Sequence, residues 1–238
     1  VHLCDDHDEL GGKLMIAGKG YLKEDLRRYL EYLRKQVEKS KIHLHLGNRS
    51  DRNTVAEIDP DILVIAIGAK TIIPDIRGID NACVIQAADL IEQDFNTAAK
   101  KITILGGGSV GAELAMELSR LGKKICLIEA GSRLAGNGNE LYRVDLLEHI
   151  GRDPNIHILL NTKCLEIREQ ECVVVRKGET KVIPHEQFVI SVGMKNDMDE
   201  VDEFFGLVPR TYYVGDCRRV ASVTEATTEG YFLGAAME

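Results

Sequence analysis

The residues with the most distinctive chemical pattern are three glycines that follow a short run of β-branched and aliphatic residues. Gly106, Gly108 and Gly111 form the spacing Gly-x-Gly-x-x-Gly directly after the segment that begins at Ile102. In such a loop the first glycine lets the chain turn off a strand, and the second lets an anionic group approach the backbone. The third lets a helix pack close to the strand. The free N–H groups at the start of that helix then face the anion. The pattern predicts a loop that binds a diphosphate.

An acidic residue lies where the sugar of a dinucleotide would bind. Glu129 ends the next strand-like segment, 18 residues beyond Gly111. A carboxylate at this position accepts hydrogen bonds from a ribose 2′-OH and repels a 2′-phosphate. The three residues after Glu129 carry no positive charge, and Arg133 is the first basic residue beyond it. We therefore predict an NAD(H) site rather than an NADP(H) site, built from Gly106, Gly108, Ser109, Val110, Gly111 and Glu129. The alternative is a unit of the same shape that binds no ligand.

Alternating strand and helix patterns surround this loop, as a Rossmann-like unit requires. Before the loop, β-branched residues predict a strand at 102–105, and after it apolar residues at helical spacing continue to Leu121. Gly178 lies between two β-rich segments and predicts a hairpin turn in a small β-meander. The remaining predicted segments of this half are a strand at 125–129, a helix at 141–150, a strand at 156–160, short strands at 164–167, 172–176 and 181–183, and a buried strand at 188–192 that ends in Gly193.

The first part of the chain contains a second set of elements. Leucines and a valine between Leu22 and Val37 recur at helical spacing and predict an amphipathic helix of about five turns. Residues 42–46 then alternate between apolar residues and the histidines His43 and His45, which is the period of a half-buried strand. We interpret the two histidines as neighbours on a solvated strand face, with a metal site as the alternative.

A second apolar run is followed by a change of composition. The continuous run from Ile62 to Gly68 predicts a fully buried parallel strand. Pro74 and Gly78 then mark a loop-like stretch, where we place a domain boundary.

The bulk composition excludes several classes of protein. The 238 residues carry a formal net charge of −8 at pH 7, which argues against a nucleic-acid surface. No apolar run approaches the roughly 20 residues of a membrane span, and the start of the chain does not resemble a signal peptide. The six cysteines form no Cys-x-x-Cys pair, so we expect neither a local redox disulfide nor a metal or iron–sulfur site, and we expect a cytosolic, reducing compartment.

Two further motifs complete a family resemblance. The segment Val1-His-Leu-Cys-Asp-Asp-His-Asp-Glu-Leu-Gly11-Gly12-Lys-Leu is similar to a strand, acid and "ELGGQL" turn, and Gly215 and Asp216 form a Gly-Asp pair near the end of the chain. With the glycine loop, this order resembles the flavoproteins that have two dinucleotide-binding domains, in which an NAD domain is inserted into an FAD domain. It is most similar to the C-terminal region of the NADH:flavin oxidoreductase family, which includes 2,4-dienoyl-CoA reductase, 2-enoate reductase and trimethylamine dehydrogenase.

The resemblance implies positions for both cofactors. Asp5 would lie at the FAD adenosine ribose, and the carboxylate of Asp216 would hold the ribityl chain. The helix after Thr224 would point its N-terminus at the flavin ring. The other implied positions are Gly11 and Gly12 at the FAD pyrophosphate, Ala66 and Gly68 at the crossover that closes over FAD, Gly193 at the return crossover near NAD, and Gly215 beside Asp216. Taken singly, each has an ordinary alternative as a strand-end acid or a turn residue.

The departures from the family concern the start of the chain. The family's first strand and its own glycine loop, which bind the FAD pyrophosphate, would precede Val1. The resemblance therefore implies an N-terminally truncated fragment that binds FAD weakly or not at all, keeps its affinity for NAD or ADP, and is inactive alone. The implied fold is an α/β protein with an NAD(H)-binding domain at 78–193 inserted into an incomplete FAD-binding domain at 1–77 and 194–238. In longer relatives an FMN-binding barrel and an iron–sulfur cluster lie upstream. Thr71 stands where relatives often carry proline.

The implied reaction is hydride transfer from NADH to FAD, with electrons then passing to another centre of the parent chain. The protein supplies orientation and electrostatics for this chemistry, so we expect no catalytic nucleophile. One alternative is a disulfide or peroxide reductase, since Cys4 and Cys217 lie beside FAD-type motifs. Another is a scaffold domain that holds ADP without catalysis. The final substrate and the oligomeric state are not predicted.

Overall fold

The computed structural model describes residues 1–21, 23–136 and 140–237. Leu22, the first apolar position of the predicted amphipathic helix, lies outside the described residues. The elements of the first half are β1 His2–Cys4, α1 Lys13–Ala17, α2 Glu24–Lys39, β2 His43–His45, α3 Arg52–Ile58, β3 Ile62–Ile65, β4 Lys70–Thr71, β5 Val84–Gln86, α4 Ala87–Gln93, β6 Lys101–Leu105, α5 Ser109–Arg120 and β7 Lys124–Ile128. Those of the second half are α6 Glu140–Arg152, β8 Ile156–Leu159, β9 Thr162–Ile167, β10 Glu171–Arg176, β11 Glu179–Pro184, β12 Gln187–Ile190, β13 Met194–Lys195, α7 Met198–Asp202, β14 Arg210–Tyr213 and α8 Val223–Ala236.

The chain forms two compact units, and the polypeptide passes between them after Lys19, before Lys23, after Lys70 and after Gly193. Unit 1 contains Val1–Lys19, Lys23–Lys70 and the segment from Met194 onward. Unit 2 contains Thr71–Gly193 together with Gly20 and Tyr21. The boundaries that the sequence predicts between the FAD-binding and NAD(H)-binding domains, after residues 77 and 193, stay predictions.

Unit 2 is built on a five-stranded parallel sheet with the order β5-β12-β6-β7-β8. Helix α5 connects β6 to β7, and α6 connects β7 to β8. The three-stranded antiparallel sheet β11-β10-β9 follows, with the hairpin turn at Gly178, where φ is 83°. This architecture confirms the predicted α/β class with a parallel sheet and a small β-meander.

The core of unit 2 explains why α5 forms where it does. Its apolar residues Ala112, Ala115 and Leu118 recur at helical spacing and are each 0% exposed. They pack with residues of the parallel sheet, including Ile104 and Leu127. Each fully buried aliphatic side chain of leucine or isoleucine size stabilises the fold by about 1.5–3 kcal/mol. Gly122, at φ 76°, follows the last turn and ends the helix.

Unit 1 contains two separate pairs of parallel strands. β1 pairs with β2, and β14 pairs with β3. The small core of this unit gathers Val55 and Ile65 with side chains from α7 and the residues after it. No residue of α2 is buried, although its apolar residues recur at the spacing that predicted the helix.

One burial prediction in unit 1 is wrong, and a second holds only in part. The segment 62–68 was expected to be a fully buried strand, but Val64 is 41% and Ile67 is 45% exposed. In the strand expected at residues 42–46, Ile42 and Leu46 are partly buried and both histidines are exposed, but Leu44 is 42% exposed. Both β3 and β2 pair with a single strand, and of these two strands only Ile65 is buried. Apolar runs predict burial only where neighbouring strands are present.

Among the described residues, every helix is too short or too polar to cross a membrane. All six cysteines are free thiols.

Candidate functional site

The glycine loop lies where three adjacent parallel strands end. In the sheet order, β12, β6 and β7 are neighbours, and their carboxyl ends lead to Ser191, Gly106 and Glu129. β7 and β8, the next two strands of the sheet along the chain, lie on one side of β6, whereas β12 and β5 lie on the other. Such a change of direction leaves a crevice outside the strand ends, which is where open α/β sheets bind ligands.

Close packing of the backbone explains two of the three glycines. Gly106 has φ 106°, and a Cβ there would collide with the carbonyl oxygen of Ser191, the residue after β12. A Cβ on Gly111 would collide with the carbonyl oxygen of Gly106 and come within 3.2 Å of the Ser191 Oγ. Only glycine at both positions lets the turn pack against the neighbouring strand and α5 against the turn.

The second glycine is different, because space around it is open. A Cβ on Gly108 would meet no atom within 4 Å. Gly108 precedes α5 without contributing a side-chain cap, so the amides of the first turn, including those of Ser109 and Val110, are available to an external acceptor. The Val110 side chain is 54% exposed at the same end of the helix. The arrangement fits a diphosphate, which needs free amides and close approach to the backbone.

The carboxylate of Glu129 is fixed beside this loop. Its Oε2 accepts a hydrogen bond from Gly107 N at 2.7 Å, and its Oε1 accepts one from Gly131 N at 2.6 Å. Gly107 O in turn accepts a bond from Ala135 N at 2.8 Å, while the Leu134 side chain fills the space that a Cβ on Gly107 would need. The acid is therefore oriented by the same glycine-rich backbone that forms the loop.

Arg133 is the first basic residue beyond Glu129, and its guanidinium group lies beside Gly136. The Nε of Arg133 is 3.2 Å from the position of a Cβ on Gly136, and Arg133 is exposed.

Gly193 follows the carboxyl end of β12, with φ 102° and no atom within 4 Å of its Cβ position. The structure thus places the sequence-predicted residues of the NAD(H) site at one edge of the parallel sheet.

In unit 1, the structure brings together Gly68, Lys13 and Asp216. The Nζ of Lys13 donates to the Ala69 carbonyl and lies 3.6 Å from the Cβ position of Gly68, where φ is 76°. Burial lowers the pKa of Lys13, and the nearby Asp216 carboxylate opposes that shift. Ala66, next to this group along the chain, is exposed.

The Gly215 and Asp216 pair is held by one residue within α8 and one residue just before it. Gly215, with φ 68°, donates its N–H to Glu229 Oε2 at 2.8 Å, and Asp216 Oδ1 accepts from Ala221 N at 3.1 Å. At the start of α8, Ser222 N donates to Glu225 Oε2 at 3.2 Å as part of a capping box. α8 begins at Val223, seven residues after Asp216 and close to the start that the sequence predicted near Thr224.

The residues at the end of β1 also adopt turn geometry. Asp5 Oδ1 accepts a hydrogen bond from His7 N at 3.0 Å. Gly11 has φ 136°, and a Cβ there would press against Leu30 and Met15, while Gly12, at φ 46°, precedes α1. The positive φ at both positions therefore requires glycine, whether or not these residues contact a ligand.

Three residues of these clusters were missed by sequence reasoning. Gly107 orients Glu129, and the third consecutive glycine was a signal that could have identified it. Lys13 replaces the glutamine of the "ELGGQL" turn, and the resemblance assigns it no role. Glu229 binds Gly215 from α8 across a distance of 14 residues, for which the sequence pattern holds no signal.

The thiol at the second FAD-type motif is structural. The Sγ of Cys217 is fully buried and donates to the carbonyls of Val214 at 3.1 Å and Ile65 at 3.3 Å. Burial raises the pKa of Cys217, so the thiol stays protonated at neutral pH. Cys4 is a free, partly exposed thiol on β1.

Comparison with known proteins shows which family the chain belongs to. The model of the family described as "Pyridine nucleotide-disulphide oxidoreductase" matches residues 19–230. The chain is 28% identical over 233 residues to a bilirubin reductase of Mediterraneibacter gnavus and 25% identical over 238 residues to an NADH oxidase of Thermoanaerobacter brockii. Both alignments cover 97% of this chain and 36% of the relative, so the chain spans just over a third of their length.

A solved structure shows the same likeness. The 2-naphthoyl-CoA reductase in complex with 2-naphthoyl-CoA matches with a TM-score of 0.90 and 25% identity, covering 98% of this chain and 36% of that one. A thioredoxin reductase of Lactococcus lactis shares the fold, with a TM-score of 0.74 at 17% identity over 96% of this chain and 86% of that one. Members of the matched family are in general FAD- and NAD(H)-dependent oxidoreductases. The chain belongs to the pyridine nucleotide-disulphide oxidoreductase family.

Proposed function

We propose that unit 2 binds NADH and that the protein serves hydride transfer from NADH to a flavin. The observation that carries the proposal is the loop between β6 and α5, where uncapped amides, the open space at Gly108 and the oriented Glu129 carboxylate occur together. Relatives that include an NADH oxidase and several reductases support it.

We expect the residues of the site to contact different parts of NADH. The amides of Ser109 and Val110 would donate to the diphosphate, aided by the dipole of α5. Each oxygen of the Glu129 carboxylate accepts one backbone N–H, which leaves lone pairs for the 2′- and 3′-hydroxyls of the adenosine ribose. Gly193, with its open Cβ position, would leave room for the nicotinamide half.

Calorimetric titration of this chain with NADH, NADPH and ADP tests the proposal. We expect NADH to bind more tightly than NADPH, because the Glu129 charge repels a 2′-phosphate. We also expect NADH to bind more tightly than ADP, since a scaffold that holds only the ADP half would gain nothing from nicotinamide. Equal affinity for NADH and ADP would favour the scaffold, and equal affinity for NADH and NADPH would contradict the role of Glu129.

We further propose that unit 1 is part of an FAD-binding domain. Asp5 would accept hydrogen bonds from the adenosine ribose, Gly11 and Gly12 would lie along the pyrophosphate, and Gly215 with Asp216 would hold the ribityl chain. Ala66 and Gly68 would lie at the crossover. The clustering of Gly68, Lys13 and Asp216 supports this part of the assignment.

The described residues of unit 1 fit FAD only in part. Its glycine turns and acids suit a ribose and a ribityl chain, but no Gly-x-Gly-x-x-Gly loop is present in this unit to bind the diphosphate. β1 and β3 each have a single strand partner, and exposed apolar side chains such as Leu44 and Val64 remain on the two strand pairs. We propose that a further strand and glycine loop of a longer protein join these pairs, as in the 2-enoate reductase subfamily.

Titration of this chain with FAD, followed by flavin fluorescence, tests whether unit 1 needs a further strand and glycine loop to bind FAD. The described groups make no diphosphate cradle in unit 1, so we expect FAD to bind this chain much more weakly than NADH binds unit 2. FAD binding at an affinity equal to that for NADH would show that unit 1 needs no further strand.

When bound, FAD supplies an acceptor that takes hydride from NADH and releases electrons singly. The role of this chain is to bind and orient NADH, and we propose that the final electron acceptor lies elsewhere in the parent protein, with FMN and iron–sulfur groups as candidates. The buried, protonated Cys217 disfavours a dithiol mechanism at this motif. Six free thiols support a reducing, cytosolic compartment.

A further inference from the structure

A short segment that follows Glu129 packs against the glycine loop, and we call this segment, residues 131–136, the strap. Near its carboxyl end, Ala135 N donates to Gly107 O at 2.8 Å, and the Leu134 side chain fills the space beside Gly107. Leu134 and Ala135 are only 4% and 2% exposed. This end of the strap therefore lies against the backbone whose N–H binds the Glu129 carboxylate.

The beginning of the strap binds the same carboxylate. Gly131 N donates to Glu129 Oε1 at 2.6 Å, while Gly107 N donates to Oε2 at 2.7 Å. Gly131 O accepts from Asn161 N at 2.9 Å, which ties this end of the strap to the segment after β8. The orientation of the Glu129 carboxylate thus depends on the strap directly through Gly131 and indirectly through Gly107.

The turn near the end of the strap has an unfavourable backbone conformation. Ala135 has φ 49°, in the left-handed region that residues with a Cβ rarely adopt. Such a conformation persists only where the surrounding structure holds it, and these conformations cluster at functional sites. Contacts between the strap and the rest of unit 2 must therefore keep this turn in place.

Arg143 of α6 supplies one of these contacts. Its Nε donates to Leu134 O at 3.0 Å, one residue before the left-handed turn at Ala135. The Arg143 side chain is only 15% exposed, and its Nη1 lies 3.2 Å from Glu140 Oε1, so the guanidinium is held at both ends. A hydrogen bond from a charged donor is stronger than one from a neutral donor. Arg143 therefore restrains the strap directly beside its strained turn.

We propose that Arg143 is a positioning residue that sets the selectivity between NADH and NADPH. It holds the strap, and the strap holds the Glu129 carboxylate where it accepts the ribose hydroxyls and repels a 2′-phosphate. This role rests on the NADH site proposed above. Without Arg143 the strap is free to move, and Glu129 loses the Gly131 N–H, one of the two donors that orient its carboxylate.

Calorimetric titration of the unmodified chain, Arg143→Met and Arg143→Lys with NADH and NADPH tests this role. Methionine keeps much of the side-chain length without a donor, whereas lysine keeps a charged donor. We expect Arg143→Met to weaken NADH binding by about threefold to tenfold, the factor that corresponds to one hydrogen bond. The ratio of the NADH and NADPH affinities should fall by a similar factor, and Arg143→Lys should restore most of both.

Arg152→Met is the matched control. Arg152 lies on the same helix, is 78% exposed and has its Nη1 2.7 Å from Glu148 Oε1, so its loss should change neither affinity. An arginine that merely stabilises α6 would lower the midpoint of thermal unfolding in Arg143→Met and leave the ratio of the NADH and NADPH affinities unchanged. That result would overturn the proposal. A rise in the ratio would also overturn it, because it would show that Arg143 binds the 2′-phosphate itself.

Amide hydrogen exchange without nucleotide separates a failure of Arg143 to hold the strap from a failure of the NADH site. The amides of Gly131 and Ala135 should exchange faster in Arg143→Met than in Arg152→Met, because the strap opens more often. If the unmodified chain binds NADH and NADPH equally, or binds neither, the proposed NADH site is wrong, and the exchange rates still decide whether Arg143 holds the strap. Equal exchange in the two variants would overturn the role of Arg143 whichever nucleotide binds.

Discussion

Replacement of Glu129 should change both the strength and the selectivity of nucleotide binding. Its carboxylate is held by Gly107 N and Gly131 N in the free protein and would accept the ribose hydroxyls in the complex. A hydrogen bond to a charged acceptor contributes about 1.5–3 kcal/mol, so the net loss of one such bond in Glu129→Ala should weaken NADH binding by about 10- to 150-fold.

The isosteric change Glu129→Gln separates charge from contact. It keeps an acceptor oxygen but removes the negative charge, whose repulsion of a phosphate 4 Å away is about 1 kcal/mol per unit charge even in water. We therefore expect the affinity for NADPH, relative to that for NADH, to rise by about fivefold or more in this variant. Glu169→Gln, at an exposed acid in the same unit, should change neither affinity.

Calorimetry or NADH fluorescence with each variant measures these constants, and thermal unfolding verifies that the loop is intact. The reasoning fails if Glu129→Ala binds NADH as tightly as the unmodified chain. It also fails if Glu129→Gln keeps the original preference between NADH and NADPH.

Three further outcomes follow from the structure. Gly111→Ala should lower the free energy of unfolding by about 1–3 kcal/mol in a denaturant titration, because its Cβ collides with Gly106 O, whereas Gly108→Ala should leave stability nearly unchanged and weaken NADH binding. Leu118→Ala should lower the free energy of unfolding by about 2–5 kcal/mol, because Leu118 is fully buried. Leu121 is 40% exposed, so Leu121→Ala should lower it much less. Equal losses in the two variants would contradict the packing described for α5. In an NMR titration the pKa of His7 should lie above the ordinary 6.5, because Asp6 and then Asp5 bind its imidazolium, and Asp6→Asn should lower it. Any stability that this pairing adds is complete below pH 6.5 and is lost as the pH rises through the raised pKa, and an unshifted His7 would refute the pairing.

The parts of the fold that sequence predicted well are those fixed by local spacing. The loop from Gly106 to Gly111, the helix after it and the acid at Glu129 belong to one continuous strand-helix-strand segment, so period and distance along the chain suffice. The hairpin at Gly178 was predictable for the same reason, since a left-handed turn between two short strands has a local signature.

The failures concern residues whose surroundings come from distant parts of the chain. The run around Val64 is as apolar as a buried strand, yet its burial depends on neighbouring strands that the run itself does not encode. The histidines of β2 were visible as an alternating pattern, but their contact with His2 depends on a register between segments more than 40 residues apart. Lys13 and Glu229 were missed for the same reason, because their partners lie 56 and 14 residues away.

The uneven distribution of buried side chains has a consequence for backbone dynamics. Nearly all of the fully buried apolar residues belong to unit 2, whereas β1, β2 and α2 contain none. Opening of β1 and β2 exposes little new apolar surface, so their amide hydrogens should exchange with deuterium through local fluctuations. Those of β6, β7 and β12 should exchange only when the central sheet comes apart. Mass spectrometry of peptides after brief deuteration would therefore label the histidine-bearing strands long before the strands that carry the glycine loop.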